Sequence, residues 1–273
     1  TTDSTDSTEN TTSTTDSTDS TESTTDDSSD GTITFDGTSV TSSSSGVVIS
    51  GTTITITSAG TYTLTGNGST YTITIDASVT DPVTLNLDAL TLTDSTITSS
   101  SSADVIVNVV SDSSISSTTD NALETAGSLT ITSTTDSSLT LSSSEKHAIK
   151  ADSVDINNVT LNLTSDAKDG INATTSATIT DATVTITAAD DGIQVEDETD
   201  VNSGDLTITN STVTITAADK GITATDQVTI EGTSTVNITA EDEGIEGRYI
   251  NLTGGTITVN AGDDGINATE WTT

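Results

Sequence analysis

A short pattern recurs through the second half of the chain and sets what it can fold into: acidic or basic residues, then Gly, then Ile. Its copies are Ala167-Lys168-Asp169-Gly170-Ile171, Ala189-Asp190-Asp191-Gly192-Ile193, Ala218-Asp219-Lys220-Gly221-Ile222, Glu241-Asp242-Glu243-Gly244-Ile245 and Gly262-Asp263-Asp264-Gly265-Ile266. Two looser copies precede them, Asp120-Asn121-Ala122-Leu123 and Glu145-Lys146-His147-Ala148-Ile149. The Gly or Ala falls at 122, 148, 170, 192, 221, 244 and 265, in steps of 26, 22, 22, 29, 23 and 21. A period of twenty-odd residues marks a solenoid, in which each repeat buries its apolar face only against its neighbours.

Within one period, Gly170-Ile171-Asn172-Ala173, Ala177-Thr178-Ile179-Thr180 and Thr183-Val184-Thr185-Ile186-Thr187 each alternate apolar with polar. Period-2 alternation of Val, Ile and Thr is the half-buried strand signal, and three such strands per period leave no room for a helix. The expected fold is therefore all-β, a parallel β-helix with three sheets. The long step of 29 contains Glu196-Asp197-Glu198-Thr199-Asp200-Val201-Asn202-Ser203-Gly204, which reads as a loop inserted at one corner. Alternation without the acidic turn continues upstream, as in Thr53-Ile54-Thr55-Ile56 and Val83-Thr84-Leu85-Asn86-Leu87. The solenoid is thus expected over 31–273, as roughly ten coils stacked at about 4.8 Å into a rod on the order of 50 Å. Residues 1–30 hold only Thr, Ser, Asn and acids and read as an extended low-complexity arm or linker.

The chain has 42 acids against five Lys and Arg, a formal charge of -37, and only 30% apolar residues. Such acidity excludes nucleic acid as a partner. Nothing resembles a membrane-spanning stretch, so no direct membrane insertion is expected. A start at Thr1 without Met suggests a processed chain, and the absence of Cys suits a secreted protein that does not rely on disulfides. The expected location is extracellular, secreted or at the cell surface.

Acids that recur once per coil stack one strand spacing apart. Two like charges at about 4.8 Å repel by about 3.5 kcal/mol at an effective dielectric of about 20. Either the carboxylates take up protons or a cation sits between coils. Calcium, which wants six to eight oxygens, suits paired acids beside a Gly whose tight bend exposes carbonyls. Zinc does not suit a chain with one His and no Cys. The candidate ligands of several Ca2+ ions are Asp120, Glu145, Asp166, Asp169, Asp190, Asp191, Asp219, Glu241, Asp242, Glu243, Asp263 and Asp264. Lys146, His147, Lys168 and Lys220 lie in the same turns, where a cationic side chain neutralises acids that lack an ion.

The stretches Ser50–Ile56 and Ala59–Leu64, the Leu85-Asn86-Leu87 strand and the Thr-Ile-Thr-Ala-Ala-Asp-Asp-Gly-Ile units resemble secreted bacterial carbohydrate-binding-domain proteins. Those carry a calcium-rich, right-handed parallel β-helix related in shape to pectate lyases. The resemblance spans about 46–268 and implies calcium at the acidic turns and binding of cell-wall polysaccharide. The long Thr/Ser/Asp tail and the scarcity of Lys and aromatics depart from it.

Three functions follow as expectations. A lyase needs a basic residue near its uronate, and Arg248, the single Arg, reads instead as a salt-bridge partner of Asp242 and Glu243. No enzyme activity is therefore expected. A structural reading has coils continuing across subunits: no capping helix appears at either end, and unpaired strand edges must be covered. Head-to-tail self-association into calcium-stabilised surface filaments is the primary expectation, with the 1–30 arm on a neighbour and Trp271 as a candidate joint residue. The alternative is a monomeric surface module that binds plant-type or acidic polysaccharide.

Overall fold

A computed structural model describes residues 30–269. The arm over 1–29 and Trp271 lie outside the described residues. Within them the chain forms 25 strands and no helix, as a β-solenoid of about nine turns.

Each coil crosses three faces. The first carries short strands such as Ile193–Val195, the second Asp205–Thr209 and the third Thr212–Ala217. Several strands bend round the corner from first to second face without a break, as in Ile149–Asn157 and Ile171–Thr180, with a register shift between Ala151 and Ser153. Gly60–Ser69 and Val83–Thr93 bend likewise from second to third face, and the two kinds of bend join all three faces into one hydrogen-bonded network. Pairing between coils is parallel and in register, so each residue sits beside its own counterpart: Leu163 on Ile186, Ile186 on Ile215, Ile215 on Ile238. Alternation turns one residue in two inward, and these inward rows are the core. Ile171, Ile193, Ile222 and Ile245 form such a row on the first face, all fully buried.

In the later coils the corner between second and third faces takes a left-handed residue. Asn158, Asp181 and Asn210 hold φ near 50° there, and Gly232 and Gly255 take φ of 67° and 83°. Asn, Asp and Gly are the residues that tolerate this conformation.

The two ends differ, which corrects the expectation that neither is capped. At the N-terminal end, Val40–Ser42 pairs antiparallel with Gly31–Asp36, and Val47–Ser50 pairs antiparallel with Thr53–Ile56. These short strands cover the outer edges of the first coil, one of the ways an exposed edge is blunted. At the C-terminal end the inward rows emerge: Leu252 and Ile266 are 39% and 49% exposed, whereas their partners Ile230 and Ile245 are fully buried.

The recurring Gly serves packing rather than a turn, since Gly170, Gly192, Gly221 and Gly244 are absent from the positive-φ positions. A Cβ on Gly192 would lie 2.3 Å from Ile215 Cγ2 and 2.6 Å from the Gly221 carbonyl oxygen. Gly170, Gly221 and Gly244 meet Ile186, Ile238 and Val259 in the same way. By the same register Ala148 falls opposite Leu163 and Ala122 opposite Leu141, and Leu lacks the Cβ branch. Gly192→Ala is accordingly expected to destabilise by about 1–3 kcal/mol, the usual range for overpacking. Adding Ile215→Leu should restore part of that loss. Thermal and denaturant unfolding of the three proteins checks both; a single variant as stable as the parent would refute the packing account.

Candidate functional site

The acidic turns all lie at the corner between third and first faces, and two of their positions stack as rows. The residue just before the Gly or Ala forms an inner row: Asn121, His147, Asp169, Asp191, Lys220, Glu243 and Asp264. The residue before that forms an outer row: Asp120, Lys146, Lys168, Asp190, Asp219, Asp242 and Asp263. Burial separates them. Asp169 and Asp191 are 2% and 5% exposed, whereas Asp120, Lys146 and Lys168 are open to solvent.

Inner-row side chains are partly satisfied by the protein itself. Asn121 Oδ1 accepts the His147 backbone N–H at 2.9 Å, Asp169 Oδ1 that of Asp191 at 3.2 Å, and Asp191 Oδ1 that of Lys220 at 3.0 Å. Asp169 Oδ2 lies 3.2 Å from His147 Nδ1 and accepts from the Asn172 amide at 2.9 Å. Thr223 Oγ1 donates to Asp191 Oδ2 at 3.0 Å. Basic side chains reach into the next coil as the sequence suggests: Lys168 Nζ is 3.6 Å from Asp190, and Lys220 Nζ is 3.7 Å from Glu243 and closer to Glu246.

Two places retain crowded carboxylates. Oxygens of Asp190, Asp191 and Asp219 lie within 4.8 Å of one another, and so do those of Asp242, Glu243 and Asp263. Burial, then repulsion from Asp169 and Asp219, pushes Asp191 up to about 7, against the Lys220 N–H and Thr223 hydroxyl. A hydrogen bond shared with Glu243, then burial and the Glu243 and Asp219 charges, raises Asp242 to about 6. Glu243, despite burial, is held below its ordinary value by that bond and by Lys220. Glu243 Oε2 is buried without a hydrogen-bond donor.

Six of the twelve candidate ligands thus converge. Asp169 is buried and already partnered. Asp120, Glu145, Asp166, Glu241 and Asp264 are exposed and belong to neither cluster. The carbonyls expected to face a cation do not. Gly170 N–H donates to Asp191 O at 3.0 Å and Ile171 N–H to Gly192 O at 3.1 Å, and the same ladder recurs in the next coils. Parallel stacking gives each of these oxygens one N–H donor, so carboxylates are the groups the clusters bring together.

The inserted loop rises from the corner between first and second faces. Arg248, two coils on, braces it: Nη1 donates to Val201 O at 2.5 Å and Asn202 Oδ1 at 3.3 Å. The guanidinium pairs with Asp226 at 3.4 Å and lies 4.8 Å from the Tyr249 ring centroid. Arg248 is a salt-bridge residue as expected, but its partner is Asp226, because it sits a corner away from Asp242 and Glu243. Sequence reading missed this brace, whose only signal is the long step itself. Tyr249 is half exposed, whereas Phe35 and Tyr71 are in the core as an edge-on pair with centroids 5.0 Å apart.

A structure titled as the polysaccharide lyase-like protein from C. thermocellum, gadolinium derivative, is similar to this chain at TM-score 0.63 and 22% identity. The likeness covers 84% of this chain and all of that one, and it shows the shared solenoid fold. No curated protein matches. A family model described as carbohydrate-binding domain-containing protein matches residues 50–270, from the first-face strand Thr53–Ile56 through the last acidic turn. The chain belongs to the carbohydrate-binding domain-containing protein family.

Proposed function

We propose that the chain is a non-enzymatic, extracellular glycan-binding β-solenoid whose acidic corner is held together by calcium. The observation that carries the binding part is the family match across 50–270, which takes in nearly all the described coils. Arg248 supports the non-enzymatic part: its guanidinium is committed to Asp226, Val201 and Asn202 and is not free to act as a base. The name of the C. thermocellum neighbour favours a second reading, a polysaccharide lyase. The family match favours a surface binder over end-to-end filaments, for which only the open C-terminal end speaks. The purified chain is expected to bind polysaccharide without cleaving it. Release of unsaturated uronate from polygalacturonate would establish the lyase instead.

Calcium would be held by Asp190, Asp191 and Asp219 and by Asp242, Glu243 and Asp263. The fit rests on the close oxygens; Glu243 Oε2, which accepts no hydrogen bond, already has the Lys220 ammonium 3.7 Å away. Water would complete the six to eight oxygens that calcium takes. The ion would neutralise carboxylates that stacking forces together. Lanthanides are hard cations of the same preference, and the C. thermocellum structure is a gadolinium derivative, so terbium serves as a luminescent probe.

At a free concentration 100 times Kd, an ion stabilises by about 2.7 kcal/mol per site. Two sites should then raise Tm by on the order of 10–20 °C for a chain of this size. Chelator should reverse the shift, and Asp191→Asn with Glu243→Gln should abolish it. An unchanged melting curve with and without calcium would refute the metal reading.

The pH dependence has a defined sign. Asp191 and Asp242 bind protons more tightly folded than unfolded, since both lie above the ordinary 3.8. In chelator, stability should therefore fall as pH rises from about 4 to about 7. Acids held below 3.8, such as Asp36 and Asp197, lose their contribution only at lower pH. Saturating calcium needs ionised ligands, so acidification should then destabilise. Melting at about pH 5 and pH 7.5, with calcium and with chelator, checks the reversal.

A further inference from the structure

We propose that the cleft between the inserted loop and the outward side of the first face is a glycan subsite that takes a neutral sugar by its adjacent hydroxyls. The proposal rests on the carbohydrate-binding reading and gives it a location and a ligand class.

The core does not need this insertion. In the coils before it the chain turns from first to second face inside single strands, Ile149–Asn157 and Ile171–Thr180. The loop is nonetheless fixed. Asp197 Oδ1 accepts from Thr199 N–H at 2.9 Å, Thr199 Oγ1 at 2.7 Å and Asp200 N–H at 3.1 Å. Asp197 N–H donates to Thr225 Oγ1 at 3.0 Å and Gly204 N–H to Thr175 O at 2.9 Å, while Arg248 holds the far side. A wall built this way is ordered before a ligand arrives, which lowers the entropic cost of binding. Loops set on a rigid scaffold are where binding residues concentrate.

Between this wall and the first face lies a cleft of about 340 Å³, the size of a small ligand site. Its floor is Lys150, Asn172, Thr174 and Gln194, and its wall runs from Glu196 to Thr199. The floor has hydrogen-bonding capacity to spare. Asn172 commits its amide nitrogen to Asp169 Oδ2 and to Gln194 Oε1, at 2.9 and 2.6 Å. That leaves Asn172 Oδ1 as an acceptor beside Gln194 Nε2 as a donor. Lys150 forms no ion pair among the described residues and adds a second donor. Each sugar hydroxyl both donates and accepts, so adjacent hydroxyls match a neighbouring donor and acceptor. Charge selects further. Lys150 against Glu196, Asp197 and Glu198 leaves the lining acidic, which with a net charge of -37 opposes a uronate.

The test titrates the full chain calorimetrically with neutral gluco-, manno- and xylo-oligosaccharides, with oligogalacturonate and with chitosan oligosaccharide. A neutral oligosaccharide is expected to bind, and Gln194→Ala and Lys150→Ala should each weaken it about tenfold, Lys150→Ala with Tm unchanged and Gln194→Ala with the fold retained. Replacing 196–204 by the Thr174-Thr175 sequence should abolish binding; if that variant does not fold, the two point variants decide. Neutral sugar bound equally by parent and both point variants would overturn the cleft and leave the family reading standing. Preference for oligogalacturonate or chitosan would overturn the neutral ligand. Binding of no saccharide at all would overturn the carbohydrate-binding reading itself.

Discussion

Parallel, in-register stacking is the constraint from which the rest of this structure follows. Each residue has its own counterpart from the next coil as nearest neighbour, one strand spacing away. For Ile, Val and Leu this is favourable, because like shapes interlock in continuous inward rows such as Leu163, Ile186, Ile215 and Ile238. It also suits amides, as where Asn108 donates to Asn86 at 2.9 Å. For acids it is costly, since like charges at that spacing repel. A narrow core of β-branched residues needs few aromatics, which is why 2% aromatic content suffices here.

The same constraint decided what the sequence could disclose. Stacking requires a constant period, so the acid-Gly-Ile signature revealed the solenoid, its corner and the inserted loop. Alternation within Thr183–Ala188 or Thr212–Ala217 revealed which residues face inward. The antiparallel strands Val40–Ser42 and Val47–Ser50 stayed hidden, because they stand outside the period and flank a Ser run with no alternation. The left-handed corner was legible in principle: Asn158, Asp181 and Asn210 each precede a small or β-branched residue at the repeat distance. A single Asn or Asp is too ordinary in so polar a chain to stand out without the neighbouring coils beside it.

The acidic corner was legible in place but only half legible in detail. Composition identifies acids at the turns, but position within the turn decides burial. Asp166 and Asp169 are three residues apart in one turn, yet the first is exposed and the second 2% exposed and partnered. Nor does composition reveal that the Gly carbonyls are used by the ladder. That follows only once parallel pairing is seen to continue straight through the turn, from Ile149 on Gly170 to Ile245 on Gly265.

Reading the two rows along the axis shows how the protein divides the problem of stacked charge. The outer row begins Asp120, Lys146, Lys168 and continues Asp190, Asp219, Asp242, Asp263. In the earlier coils two lysines stand between the acids, and the inner Asp169 has His147 and Asn172 beside it. From Asp190 onward the outer row is acidic throughout, and the inner row offers only Lys220 against Asp191, Glu243 and Asp264. Both carboxylate clusters, and the two acids raised furthest, fall in this later stretch. Proton, ammonium and divalent cation answer the same electrostatic demand. The first half of the corner meets it with its own side chains, whereas in the second half Lys220 alone faces the acids, and on the calcium reading proposed above the C-terminal coils are the part expected to respond to pH and to ions.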